Sequence, residues 1–262
     1  MLGRYLPAAI AAYTGTKVRI LTVDIGTGTQ DIFLYDSRLD IENGLKLVLP
    51  SPTMMVHRRI KAATAARQAI VLVGRQMGGG PSAWAAEAHA QAGLDTYATP
   101  QAALTLDDDL EKVASRGIRI VSEDEAPHMP SEVLRIELRD FDFAAIAEVF
   151  ARFGTPLAAL DAVAVAAFDH GAAPPHISDR QFRFDYLDRR IRENNTLAAF
   201  AYLSADVPSI MSRLQAVAES ARALDCPVVL MDSAPAAVLG ATYDPAVGSR
   251  NRKLIANIED RP

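Results

Sequence analysis

Short, unbroken apolar runs recur along this chain, separated by polar turns and by longer stretches in which apolar residues return every third or fourth position. The first habit predicts buried strands, and the second predicts helices with one face in a core. Residues 18–23 read as a buried strand, 32–35 as its hairpin partner, and 45–49 as a third strand stopped by the Pro-Ser-Pro at 50–52. Residues 56–67 read as helix, and "AIVLVG" from Ala69 as a fully buried strand. A Gly turn follows, then Pro81 near the first helical position and a helix ending at Gly93. Trp84, on that helix, reads as a core residue. Strand and helix keep alternating through Tyr97, Leu110 and residues 118–121, then "EVLRIEL" as strand and 143–153 as helix. "LDAVAVAAFDHG" reads as a strand running into an acidic turn, and two helices, 179–192 and 208–224, come next. "CPVVLMDSAPAAVLGA" is again strand, loop and helix, and "KLIANIEDRP" begins like another strand. The alternation predicts an α/β domain on one sheet with helices on both faces.

Composition narrows the picture. With 262 residues, half of them apolar, the chain can bury a large core. A formal net charge of -5 and scattered Arg residues give no electrostatic reason to expect nucleic acid. The single cysteine, Cys226, excludes an internal disulfide and any multi-cysteine metal site. No apolar run approaches the ~18 residues of a membrane span. The first 17 residues carry one Arg and a short apolar run interrupted by Pro7. They read as an N-terminal extension, 1–17, on a cytoplasmic protein.

The most informative stretch is "LTVDIGTGTQDIFLYD", Leu21 to Asp36, two apolar runs flanking a loop of Gly, Thr, Gln and Asp. A tight turn holds phosphate when its backbone N–H groups converge on an anion. Gly26 and Gly28 lack a Cβ and let a ligand approach the backbone. Thr27 and Thr29 offer hydroxyls, Asp24 is placed to hold a hydrated Mg²⁺, and Gln30 to line the cleft beside the loop. The spacing fits neither the Walker loop nor the dinucleotide fingerprint, because a strand rather than a helix follows. The remaining reading is a plain Gly-rich hairpin.

The pattern resembles the first phosphate loop of the actin, heat-shock chaperone and sugar kinase superfamily, where an Asp-x-Gly-Thr-x-Thr turn joins the first two strands of a ribonuclease-H-like domain. Asp24, Gly26, Thr27 and Thr29 match, with Gly28 in the variable place. "DSAPAAVLGA", Asp232 to Ala241, resembles that superfamily's connecting helix, in which small residues permit close packing. More narrowly, "DIGTGTQDI", "MGGGPS" and "DHGAAP" resemble an uncharacterised prokaryotic family labelled as pyruvate formate-lyase activating enzymes. Such enzymes use a three-cysteine cluster, so Cys226 alone excludes radical chemistry.

The resemblance implies an actin-like first lobe over 18–245 with insertions. It also implies ATP and Mg²⁺ as cofactors, and Asp24 and Asp169 as acidic catalytic groups. It expects a second Gly-rich loop after "LIANI", yet Glu259, Asp260, Arg261 and Pro262 stand there. Residues 246–262 therefore read as the start of a truncated second lobe. Catalysis is then weak or lost unless a homodimer or partner chain completes the cleft. The rival expectation is a non-catalytic scaffold using an exposed strand edge.

Three further stretches carry candidate chemistry. In "FDHG", Asp169 offers a base or ion ligand, while His170 titrates near neutrality and Gly171 shapes the loop. His176 lies nearby. Gly78, Gly79 and Gly80 precede a helix N-terminus, a favourable anion position. "LDDDLE" and "SEDEAPH" read as helix caps and solvated turns.

Overall fold

The computed structural model describes residues 17–174 and 176–243. Residues 1–16 of the expected extension and the expected strand at 254–258 lie outside them. β1 (Arg19–Ile25) and β2 (Thr29–Asp36) form the hairpin, and β3 (Leu45–Pro50) extends it to a meander. α1 (Pro52–Ala65) starts four residues earlier than its apolar periodicity suggests. Ser51 caps it by accepting the Met54 N–H, and Pro52 occupies a position where no amide hydrogen is needed. The Pro-Ser-Pro that ends the strand thus also begins the helix.

β4 (Ile70–Gly74), α2 (Pro81–Gln91), β5 (Thr96–Ala98) and α3 (Pro100–Ala103) come next. α4 (Leu110–Ser115), β6 (Arg119–Ile120) and β7 (Leu134–Leu138) complete this stretch. α5 (Phe143–Arg152), β8 (Ala162–Ala167), α6 (Asp179–Asn194) and β9 (Ala201–Leu203) follow. The described chain then runs through α7 (Ser212–Ser220), β10 (Val228–Asp232) and α8 (Ser233–Tyr243). α7 is shorter than the predicted helix over 208–224, because the chain at Pro208 turns to take the Met211 N–H on its carbonyl.

The strands form two sheets, where the sequence suggests one. The first has six strands in the order β3-β2-β1-β8-β10-β9, with β1, β8 and β10 mutually parallel and β2 and β9 antiparallel to their neighbours. Leu21, Val23 and Ile25 of β1 share one face with Val163 and Val165 of β8, and bury it under α5, α6 and α7. The second sheet, in the order β6-β5-β4-β7, is wholly parallel. Ile70 and Leu72 pack under α1 to α4, while Val71 and Val73 pack on the opposite face around Ala126. This second unit is inserted between β3 and α5. Hydrophobic periodicity tells a strand which faces to bury, and leaves open which strand lies beside it.

Trp84 is a correction: it is 68% exposed. α2 instead turns Ser82, Ala83, Ala85, Ala86 and His89 inward, and these mostly small side chains let it press against α1.

Candidate functional site

The β1–β2 register sets Ile25 opposite Gln30. The turn is therefore 26–29, closed by the Gly26 N–H on the Thr29 carbonyl at 3.0 Å. No residue in it takes a positive φ, so its glycines are not there for the primed conformations of two-residue hairpins. Ser51 fixes the turn from one side. Its hydroxyl donates to the Thr27 carbonyl and its N–H donates to the Gly28 carbonyl at 3.1 Å. In a trans peptide the N–H points opposite to the C=O. The N–H groups of Gly28 and Thr29 are therefore turned away from Ser51. No atom lies within 4 Å of where a Gly28 Cβ would stand, so that residue borders open space. Gln30 does not line a cleft: it is buried, and its amide donates to the Pro50 carbonyl at 3.1 Å, tying β2 to β3.

Asp24 and Asp31 are directly opposed on antiparallel strands, which puts both side chains on one face. The Ser233 hydroxyl, at the start of α8, donates to Asp24 Oδ1 at 3.2 Å. Thr29 Oγ1 donates to Asp31 Oδ2 at 3.3 Å. Loss of water around Asp24 raises its pKa above the usual carboxylate value; the Ser233 hydrogen bond opposes that rise and Asp31 adds to it. Among the described residues no group of three or more His, Cys, Asp and Glu side chains converges on one point. A Mg²⁺ ion at Asp24 would keep most of its waters, as that ion commonly does.

A cleft of about 970 Å³ opens where the loops after β4 and β8 meet. It brings together Gly78, Asp169, His170, Gly171 and His176 from separate predicted stretches, while Asp24 and the turn 26–29 are absent from its walls. Asp169 is 1% exposed and both its oxygens are used. Oδ1 accepts the Gly171 N–H at 2.7 Å and Oδ2 the Leu214 N–H at 2.8 Å. Burial pushes its pKa up to about 6 against those bonds and the nearby Arg213 cation. Asp169 thus ties the loop after β8 to α7. Gly171, at φ +77°, leaves room for Phe182 and the Ile210 carbonyl, which a Cβ would crowd. His170 is exposed and meets the Phe168 ring edge-on at 4.7 Å.

The most heavily bonded group at the cleft floor, Asp140 with Arg213, carries no sequence signal. Arg213 holds Asp140 bidentately, Nε to Oδ2 at 2.6 Å and Nη2 to Oδ1 at 3.0 Å, and also donates to the Phe168 carbonyl. The Gly78 N–H reaches both Asp140 oxygens at 3.2 Å. The anion position expected at Gly78 to Gly80 is accordingly filled by the chain's own carboxylate. Packing accounts for these glycines. A Cβ on Gly78 would lie 2.7 Å from Arg213 Nη2, and one on Gly79 would lie 2.6 Å from the Thr105 carbonyl. Gly80 caps α2 at φ +60°.

Fold and site together define an α/β protein with a mixed and a parallel sheet, a Ser-pinned hairpin turn and a separate polar cleft. Residues 77–261 match the family model described as "Putative pyruvate format-lyase activating enzyme (DUF1786)", and the chain belongs to that family. No curated protein matches the sequence. The family's description implies an iron–sulfur cluster, and the residues do not fit one. Cys226 is the sequence's single cysteine. Burial, with Asp225 and Asp161 nearby, raises its thiol pKa, the reverse of what a ligating thiolate needs.

Proposed function

We propose that this chain binds the phosphates of a nucleotide, ATP or ADP with Mg²⁺, at the turn 26–29, in the manner of actin-like ATPases and kinases on a ribonuclease-H-like sheet. One observation carries the reading. Ser51 engages the Thr27 and Gly28 carbonyls, so the N–H groups of Gly28 and Thr29 are turned away from Ser51, and Gly28 borders open space; backbone N–H groups left free in a turn favour an anion. The sheet order supports it: an antiparallel meander with β1 flanked by β8 and then β10 resembles the order expected of a ribonuclease-H-like core. Asp24, at the carboxyl end of β1, takes the Mg²⁺, with Ser233 orienting its carboxylate. Asp169 serves as a loop tether.

Calorimetric titration of Mg-ATP and Mg-ADP into the full chain, beside Asp24→Ala, tests this. Saturable binding that disappears in the variant is expected, with unchanged circular dichroism. Absence of binding at millimolar nucleotide, or binding that survives the substitution, removes the reading.

A scaffold role is favoured by one different feature. β3 pairs only with β2 in the first sheet, and Val48 on it is 65% exposed, an edge of the kind that recruits a strand from a partner or second copy. Light scattering distinguishes it: a nucleotide-independent dimer that Val48→Lys dissolves supports the scaffold.

A further inference from the structure

The arginines scattered over the whole sequence are one-sided in one region. Between Glu42 and Glu87 no Asp or Glu occurs, while Lys46, Arg58, Arg59, Lys61, Arg67 and Arg75 do, in a chain whose net charge is -5. Arg58, Arg59 and Lys61 lie on α1 and Arg67 just after it, all exposed. Among the described residues the side chains of Arg58, Lys61 and Arg67 have neither an ion-pair nor a hydrogen-bond partner. Arg59 donates only to the Arg135 carbonyl, at 2.9 Å. The fold leaves these charges unneutralised. Three exposed cations elsewhere show the contrast: Arg152 is held by Glu148, Arg192 by Asp188 and Arg222 by Glu219.

α1 and α2 put the free cations into one layer. His57 Nδ1 donates to the Pro81 carbonyl and Thr64 accepts from His89, both at 2.8 Å, so the helices run side by side in the same direction. Val56 and Ile60 of α1 and Ala85 and Ala86 of α2 press on the same sheet face, over Ile70 and Leu72. Whatever the two helices turn away from that core therefore shares one outer surface. α1 contributes Met55, Arg58, Ala62 and Ala65, a stripe at helical spacing, and α2 contributes Trp84 and Ala88. Met55 is 51% and Trp84 68% exposed. Glu87, the first acid after this stretch, is turned toward α4, where Arg116 holds it at 2.6 Å. Between the cations the surface is alanine and large apolar side chain, with few neutral hydrogen-bonding groups of the kind that read bases. Unneutralised cations beside exposed apolar side chains on a helix face match the boundary of an anionic bilayer, where headgroups meet acyl chains. A Trp ring suits that boundary, its apolar body in the lipid and its N–H in the wet layer. We infer that the outer face of α1 and α2 docks on an anionic lipid surface, with Arg58, Arg59 and Lys61 at the headgroups and Met55 and Trp84 entering below them. The contact depends neither on the turn 26–29 nor on the cleft.

Trp84 is the only tryptophan in the sequence, so its fluorescence reports the contact without a label. The full chain is mixed at about 0.1 M salt with vesicles of phosphatidylcholine alone, or with one third phosphatidylserine. Emission should shift to the blue and be quenched by brominated lipid with the anionic vesicles only, and raising the salt to about 1 M should weaken both effects. In sedimentation with the anionic vesicles, Arg58→Gln/Lys61→Gln should weaken binding by about tenfold or more, and Trp84→Ala should weaken it several-fold. Arg152→Gln/Arg192→Gln, on α5 and α6, changes the net charge equally and should leave binding as it was. The quenching needs no variant, so a variant that failed to fold would not leave the contact undecided. Four results overturn the inference: no binding to anionic vesicles, equal binding to both vesicle types, binding with Trp84 emission unchanged, or equal weakening by the two double variants. A DNA duplex that binds where vesicles do not would give the surface to nucleic acid and overturn it as well.

Discussion

His89 shows how one buried side chain makes stability depend on pH. It is fully buried between α1 and α2. The Thr64 hydroxyl spends its hydrogen on the Ile60 carbonyl at 2.9 Å, so at 2.8 Å it must accept from His89 Nδ1. That fixes the neutral tautomer, and leaves Nε2 buried with no partner among the described residues. Burial lowers the His89 pKa. The unfolded chain takes up this proton at about pH 6.5 and the folded chain only at lower pH, so unfolding binds protons and stability falls as pH drops below that value. Asp169 acts in the opposite sense. Its folded pKa, raised to about 6 from 3.8, makes the fold gain relative stability as pH falls through that window. The wild type should therefore lose urea midpoint relative to His89→Gln as pH falls from about 7.5 to about 6, since Asp169 acts equally in both and only the wild type carries the His89 proton. Neither histidine burial nor the Asp140–Arg213 pair was legible in the sequence. Both depend on neighbours distant in the chain, and a helical His or a loop Asp looks the same whether buried or solvated. The turn residues were legible, because their spacing and composition are local.

At the scale of elements, α1 joins two parts of the molecule through its first turn. Ser51 caps the helix and pins the hairpin, while Thr53 Oγ1 donates to the Gly78 carbonyl at 2.9 Å. Ser51→Ala should cost about 1 kcal/mol as a lost cap, read by urea unfolding. It should also weaken nucleotide binding, because the Thr27 peptide loses its hydroxyl partner. Ser51→Thr should restore much of both. Equal nucleotide affinity in Ser51→Ala would mean that the orientation of those peptides does not matter for binding. The helix itself was legible from its periodicity. Its early start was not, since the Pro-Ser-Pro segment serves the strand and the helix at once.

For the whole molecule, Arg213 is the fastening between the two sheets. From α7 it grips Asp140, just after β7, and the carbonyl of Phe168, just after β8. Arg213→Ala leaves a carboxylate that is almost wholly buried without its cation, and removing one partner of such a pair typically costs about 3–5 kcal/mol. Denaturant unfolding should show that loss, with earlier proteolytic cutting near residues 168–177 as the second readout. The α/β class was legible from the alternation of runs. The partition into two sheets was not, because it is settled by pairings that no local pattern encodes.

The insertion of a whole parallel sheet between β3 and α5 also bears on how the chain is made. Every strand pairing of the inserted sheet lies within residues 70–138. The first sheet, by contrast, must join Arg19 to Asp161, 142 residues later. On a ribosome the inserted unit can therefore close while β1 still waits with one edge open. The early segment is exposed to mispairing until β8 emerges, and Asp24, proposed to hold the Mg²⁺, meets Ser233 only after α8 has been made.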